Sequence, residues 1–211
     1  MDIKCLELNC NCYIVSDEEE KCVVFDIGAQ GAELYDFLVK LNKKVNAVII
    51  THAHFDHIAG LDDFIKAAEN DGQNIPVYVH RDDASCMRSA EKNLSAPLFG
   101  TPYTYTGTLC EVNDGDVVKA ENFEFEAISC PGHTDGCCVF VLRKEKCIFS
   151  GDVLFEGSIG RTDFPGGDIG KMKESLKKLM TLDDNFVVYP GHGGSTTIGD
   201  EKNYNPYIAG L

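Results

Sequence analysis

The segment Thr51-His52-Ala53-His54-Phe55-Asp56-His57 gathers three of the chain's six histidines and a carboxylate within six residues. Imidazole and carboxylate together suit zinc or iron, so the chemistry this run offers is metal binding. In extended backbone, alternate side chains share a face. His52 and His54 are therefore expected to grip one ion, while the adjacent Asp56 and His57 diverge and can serve a second one nearby. Three further candidates stand far along the chain, each in a glycine-containing turn at a strand end. They are His133 in Cys130-Pro131-Gly132-His133-Thr134, Asp152 in Ser150-Gly151-Asp152, and His192 in Tyr189-Pro190-Gly191-His192-Gly193. Small neighbours let the backbone approach a crowded site closely. His80 stays outside this set: a lone histidine after a strand, without a partner motif, is ordinarily a surface or hydrogen-bonded residue.

The elements that must position these side chains can be read from periodicity. Short strand-like runs open the chain at Ile3–Leu8, Cys10–Val15 and Cys22–Ile27. Leu34, Phe37, Leu38 and Leu41 recur at helical spacing, which predicts a helix over Ala32–Asn42. A buried strand at Val45–Ile50 runs into the polar stretch Thr51–His57, and a second helix fits Ile58–Glu69 before Asn70-Asp71-Gly72. After a short strand at Val77–Val79, residues Arg81–Gly107 read as a long irregular connection, a length that usually carries function. Strands follow at Val117–Lys119, Phe123–Ser129, Cys137–Leu142 and Cys147–Phe149, then a glycine-rich loop, a helix over Ile169–Met180 and a strand at Phe186–Tyr189. This order points to two packed sheets with helices outside, an αββα layering that buries both faces of each sheet.

Bulk properties narrow the function further. The chain's 211 residues fit one domain, 1–211, with a core large enough to need no disulfides. A net charge of -15, from 19 basic against 34 acidic residues, argues against nucleic acid and anionic membranes as partners. The expected partner is a small-molecule substrate. The first residues carry no secretory pattern and no apolar run reaches the ~18 residues of a membrane span, so a cytoplasmic location is expected. The ten cysteines contain no CxxC pair and mostly fall in strand-like runs, where a thiol acts as a small hydrophobe. None has an activating neighbour in sequence, which argues against cysteine catalysis.

Taken in order, Phe25-Asp26-Ile27-Gly28, His52–His57, His133, Asp152 and His192 resemble the five motifs of the metallo-β-lactamase-fold hydrolases. Within them, Ser158–Asp168 and Asn205-Pro206-Tyr207 are similar to the short glyoxalase II, or hydroxyacylglutathione hydrolase-like, subgroup. The resemblance implies an α/β (α+β) fold: a four-layer αββα sandwich of two mixed β-sheets flanked by helices. It implies two divalent ions, zinc first, with iron or manganese as alternatives. One would take His52, His54 and His133, the other Asp56, His57 and His192, with Asp152 bridging and Asp26 orienting the ligands from behind.

The same resemblance implies hydrolysis of a thioester or similar activated carbonyl. Two ions about 3.5–4 Å apart acidify a shared water, and Asp56 can pass a proton as general acid or base. Arg161 falls where the subgroup places a basic residue that contacts glutathione. The Tyr that usually follows two residues later is replaced by Asp163. The helical domain that supplies further glutathione contacts is expected to be missing, since about 19 residues follow His192. Two rivals on the same fold stay open: a mononuclear-iron persulfide dioxygenase, which shares the Gly-Arg-Thr-Asp-Phe loop, and a lactonase. Flavodiiron oxidases fit less well because they usually carry Glu where this chain has His54, and the main class of β-lactamases has Cys at the position of Asp152. A purely structural metal site would ordinarily be richer in thiolates.

Overall fold

The structure is a computed structural model that describes residues Met1–Leu211. Its first half runs β1 (Asp2–Leu8), β2 (Cys10–Ser16), β3 (Lys21–Phe25), α1 (Gly31–Lys40), β4 (Lys44–Ile49), α2 (Phe55–Ile58), α3 (Leu61–Asn70), β5 (Val77–His80), α4 (Ala84–Met87) and β6 (Cys110–Val112). The second half runs β7 (Val117–Ala120), β8 (Phe123–Ser129), β9 (Cys138–Leu142), β10 (Cys147–Gly151), β11 (Leu154–Phe155), β12 (Ser158–Ile159), α5 (Ile169–Leu179), β13 (Val187–Pro190), β14 (Thr196–Thr197) and α6 (Ile198–Tyr204). One six-stranded sheet has the order β1-β2-β3-β4-β5-β6, and the other β14-β13-β10-β9-β8-β7. Both are mixed: β3, β4, β5 and β6 pair in parallel in the first, and β10 pairs in parallel with β13 in the second.

The layering follows from strands that are apolar on both faces, as expected where helices cover a sheet. Along β2, Cys12 and Ile14 point towards α1 and α3, whereas Tyr13 and Val15 point between the sheets. Cys22 and Val24 of β3 repeat the first direction, Val23 and Phe25 the second. The inter-sheet layer is aromatic, with Phe25 stacked on Phe149 at 4.1 Å and edge-on to Phe125 at 5.2 Å. Met172, Leu176 and Leu179 of α5 and Ile198 of α6 close the outer face of the second sheet. This is the expected four-layer sandwich. No helix is long and apolar enough to cross a membrane.

The cysteines behave as hydrophobes. All ten are free and seven are buried. Burial pushes the Cys22 and Cys130 thiols up to about 12, far from a reactive thiolate.

Several expected boundaries need correction. The helix expected over Ile58–Glu69 is two helices, α2 and α3, broken at Ala59-Gly60. Gly60 N donates to Ile27 O at 2.8 Å, and a side chain there would collide with Ala29, so packing against the β3–α1 turn interrupts the helix. The polar stretch Thr51–His57 includes the start of a helix, since α2 begins at Phe55 with His54 extended before it. β3 stops at Phe25 rather than Ile27, since Asp26 takes a left-handed φ of 49° that turns the chain. The 81–107 connection contains a 3-10 turn at Arg81–Asp83 and α4. β6, β11, β12, β14 and α6 are elements that periodicity alone does not announce.

Candidate metal centre

Every side chain singled out as a ligand candidate sits at one end of the sandwich. His52 follows β4, His133 lies between β8 and β9, Asp152 follows β10 and His192 follows β13. The ends are tied to one another through the backbone. Cys138 N donates to Thr51 O at 2.9 Å, and Gly191 N to Gly151 O at 2.8 Å. Gly191 has no room for a side chain, because a Cβ would meet Asp152 and His57.

Within this cluster, donor atoms form three overlapping groups in which all atoms lie within 4.8 Å of one another: His52/His54/His133, His52/His57/Asp152 and Asp56/His57/His192. His54 Nδ1 is 2.8 Å from His133 Nε2. Asp152 Oδ1 stands 3.4 Å from His57 Nε2, and its Oδ2 stands 3.5 Å from His133 Nε2 and 3.6 Å from His192 Nε2. Asp56 Oδ2 is 3.3 Å from His192 Nε2 and is the more solvent-open of the two carboxylates.

Surrounding hydrogen bonds decide which ring nitrogen offers its lone pair. His57 Nδ1 donates to Asp26 Oδ2 at 2.9 Å, and His133 Nδ1 to the Arg161 carbonyl at 2.7 Å. Thr51 Oγ1 gives its proton to Asp26 Oδ2 at 2.7 Å and can accept from His52 Nδ1 at 3.3 Å. Each of these contacts aims an Nε2 inward, as outer partners of metal-binding imidazoles do. The interior then holds acceptors facing acceptors. His52 Nε2, His54 Nε2 and Asp152 Oδ1 are buried with no hydrogen-bond partner. Such an arrangement is costly unless a cation sits among the acceptors, so the donor set fits metal ions.

The titration behaviour follows the same crowding. Burial, reinforced by the neighbouring histidines, pushes His52 well below the ordinary imidazole value, and burial with His133 beside it pushes His54 down to about 3. Burial also opposes charge on His57, yet Cys10, Asp152 and Asp26 together hold its pKa well above the usual value. The hydrogen bond that His192 donates to Asp56 raises the His192 pKa. Burial would raise both carboxylates, but His192 and His57 beside Asp56, and His57 and His133 beside Asp152, hold them below the carboxylate range.

Asp83 was not anticipated from sequence. It is fully buried; Oδ2 accepts from Ala53 N at 2.8 Å and Thr134 Oγ1 at 3.0 Å, while Oδ1 accepts from Gly136 N at 3.0 Å. It thereby clamps the His52–His54 strand end to the His133 turn. The available signal was positional: Asp83 follows β5, which lies parallel to β4, and the carboxyl ends of parallel strands are where sites gather. Asp83→Ala is expected to lower stability by about 3 kcal/mol, since three buried donors lose their acceptor. An unfolding free energy from urea titration within about 0.5 kcal/mol of the parent would rule the clamp out.

The remaining candidates separate. His80 is buried, accepts from Asp82 N at 3.3 Å and takes no part in the cluster. Asp26 lies behind His57 and Thr51, outside the donor groups. Arg161 reaches the cleft, but its side chain is engaged by Asp163, and its backbone carbonyl is what holds His133. The 81–107 connection forms one wall of the cleft through Leu94, Leu98 and Phe99, held to α2 by Phe55 N donating to Asn93 O at 2.8 Å.

Comparison with known proteins agrees with this geometry. A family model described as the metallo-beta-lactamase superfamily matches residues 6–192. Among curated relatives, a hydroxyacylglutathione hydrolase GloC of Haemophilus influenzae is 33% identical over 204 residues, covering 94% of this chain and 92% of that protein. Among solved structures, the BLEG-1 B3 metallo-beta-lactamase superposes with a TM-score of 0.89 at 33% identity, covering 98% of this chain and 99% of the other. TTHA1623, solved in a di-iron-bound form, superposes with a TM-score of 0.83 at 31% identity over 98% of this chain and 100% of its own.

Proposed function

The chain belongs to the metallo-β-lactamase superfamily, and from that premise we propose that it is a dinuclear metallohydrolase acting on a small-molecule thioester or similar activated carbonyl. The observation that carries this reading is the overlap of three donor groups, which share His52 and His57 and have Asp152 in the middle one. One ion would be held by His52, His54 and His133, the other by Asp56, His57 and His192, with Asp152 reaching both. Bound there, the ions would polarise the carbonyl and supply a water acidified towards neutral pH. The likeness to GloC supports a thioester, and the di-iron form of TTHA1623 supports iron alongside zinc as the occupant.

The chain's own residues supply the rest. Asp26, Thr51 and the Arg161 carbonyl hold three imidazoles with their lone pairs inward, so the site needs little rearrangement to bind cations. Asp56 is ionised and open to the cleft, which suits it to take a proton from the attacking water and return it to the leaving group. Apolar walls limit bulk water around the reacting carbonyl, and charge interactions strengthen there.

A β-lactam is the second reading, favoured by the likeness to BLEG-1. The test is metal content by elemental analysis, followed by hydrolysis of thioesters and of a chromogenic cephalosporin on one preparation. Close to two ions per chain are expected, with thioester turnover lost on chelation, restored by added metal, and the fold retained throughout. Turnover that survives complete metal removal would sink the proposal. A single iron per chain, with oxygen uptake on a persulfide and no hydrolysis, would favour the dioxygenase instead.

A further inference from the structure

The cleft above the donor cluster encloses about 460 Å³, a size suited to a small organic substrate. Its apolar lining is Leu94, Leu98, Phe99, Phe155 and Phe164. Leu98 and Phe99 remain 55% and 49% exposed at the rim, although Phe99 is held in place edge-on against Phe55 at 5.1 Å. Large apolar side chains fixed in water around a cavity gain free energy when an apolar ligand covers them.

Arg161 is the cleft's one Lys or Arg, and its charge is already matched. Its Nε and Nη2 donate to the two carboxylate oxygens of Asp163, both at 2.7 Å, in the fork geometry that an incoming carboxylate would need. Its guanidinium also lies 3.7 Å over the ring of Phe164. An anionic substrate group would meet a pair of zero net charge, on a chain carrying -15 overall.

We propose that this cleft selects thioesters carrying an apolar, uncharged acyl chain joined to an uncharged thiol, and that the Arg161–Asp163 pair disfavours anionic thiols such as glutathione. The proposal rests on the metallohydrolase reading given above and sharpens its substrate class. Leu98 and Phe99 supply apolar cover for the chain, and Asp163 removes the charge that would reward an anion.

Acetyl, butanoyl and hexanoyl thioesters of N-acetylcysteamine, together with S-lactoylglutathione, provide the test on the metal-loaded chain. From acetyl to hexanoyl, kcat/KM is expected to rise by about tenfold or more, with hexanoyl above S-lactoylglutathione. Asp163→Ala should raise the ratio of glutathione to hexanoyl turnover by about fivefold at low ionic strength, an effect that fades in about 1 M salt. Calorimetry with thioethers that cannot be hydrolysed reads the same preference without turnover: S-hexyl-N-acetylcysteamine should bind more tightly than S-methylglutathione. The proposal is overturned by equal or better use of S-lactoylglutathione, by no rise with chain length, or by tighter binding of the glutathione thioether. If no thioester is hydrolysed at all, the thioesterase reading fails, and the calorimetry still decides the preference of the cleft.

Discussion

Asp152→Ala is expected to lose at least one of two bound ions and to lower kcat by on the order of a thousandfold or more. Asp152 is the carboxylate that approaches donors of both groups, at 3.4 Å from His57, 3.5 Å from His133 and 3.6 Å from His192. Without it, Asp56 would be the one carboxylate left among the donors, and no anion would lie between the two cation positions. A metal contributes several kcal/mol of charge stabilisation in the transition state, and about 1.4 kcal/mol corresponds to tenfold in rate. Elemental analysis and single-substrate kinetics read the outcome. Two ions retained, with a rate within about tenfold of the parent, would show that Asp152 does not link the two sites.

The second large effect concerns Asp26, which binds no metal in this reading. Asp26→Ala leaves Thr51 N, Thr51 Oγ1 and His57 Nδ1 without their acceptor in a buried setting, and should cost about 3–5 kcal/mol of stability. Asp26→Asn separates folding from function more cleanly. An asparagine can still accept from Thr51 N, so stability should fall by only about 1 kcal/mol. Its amide, however, would donate to His57 Nδ1 and force the ring proton onto Nε2, the nitrogen that faces His192 at 3.4 Å. Affinity for the ion at Asp56, His57 and His192 should then fall about 100-fold, while the ion at His52, His54 and His133 stays. Unchanged affinity at both sites in the Asn variant would refute the tautomer argument.

Some features are legible in short stretches of the chain. The His52–His57 cluster stands out by density alone, and the two-faced apolar runs of β2, β3 and β4 announce a sheet covered on both sides. Other features depend on neighbours distant in the chain. Ile58–Glu69 is a sound helical pattern that nonetheless breaks at Gly60, because the backbone of Ile27 takes the hydrogen bond that would have continued it. Asp83 looks like any acidic residue after a strand, since its three partners lie 30 to 53 positions away. From sequence Arg161 can be a glutathione contact or half of a structural salt bridge, and Asp163 folded back onto it shows the salt bridge.

Residue type and local periodicity, then, decide which groups can bind a cation and which strands can be buried, because both are properties of short segments. They already specify the chemistry on offer and the layered class of the fold. Which ring nitrogens point inward, which charges are already matched, and how the walls of the cleft are composed follow only from the packing of distant segments. Those depend on hydrogen bonds and burial between segments far apart in the chain, as between His57 and His192, 135 residues apart, and no local pattern encodes them.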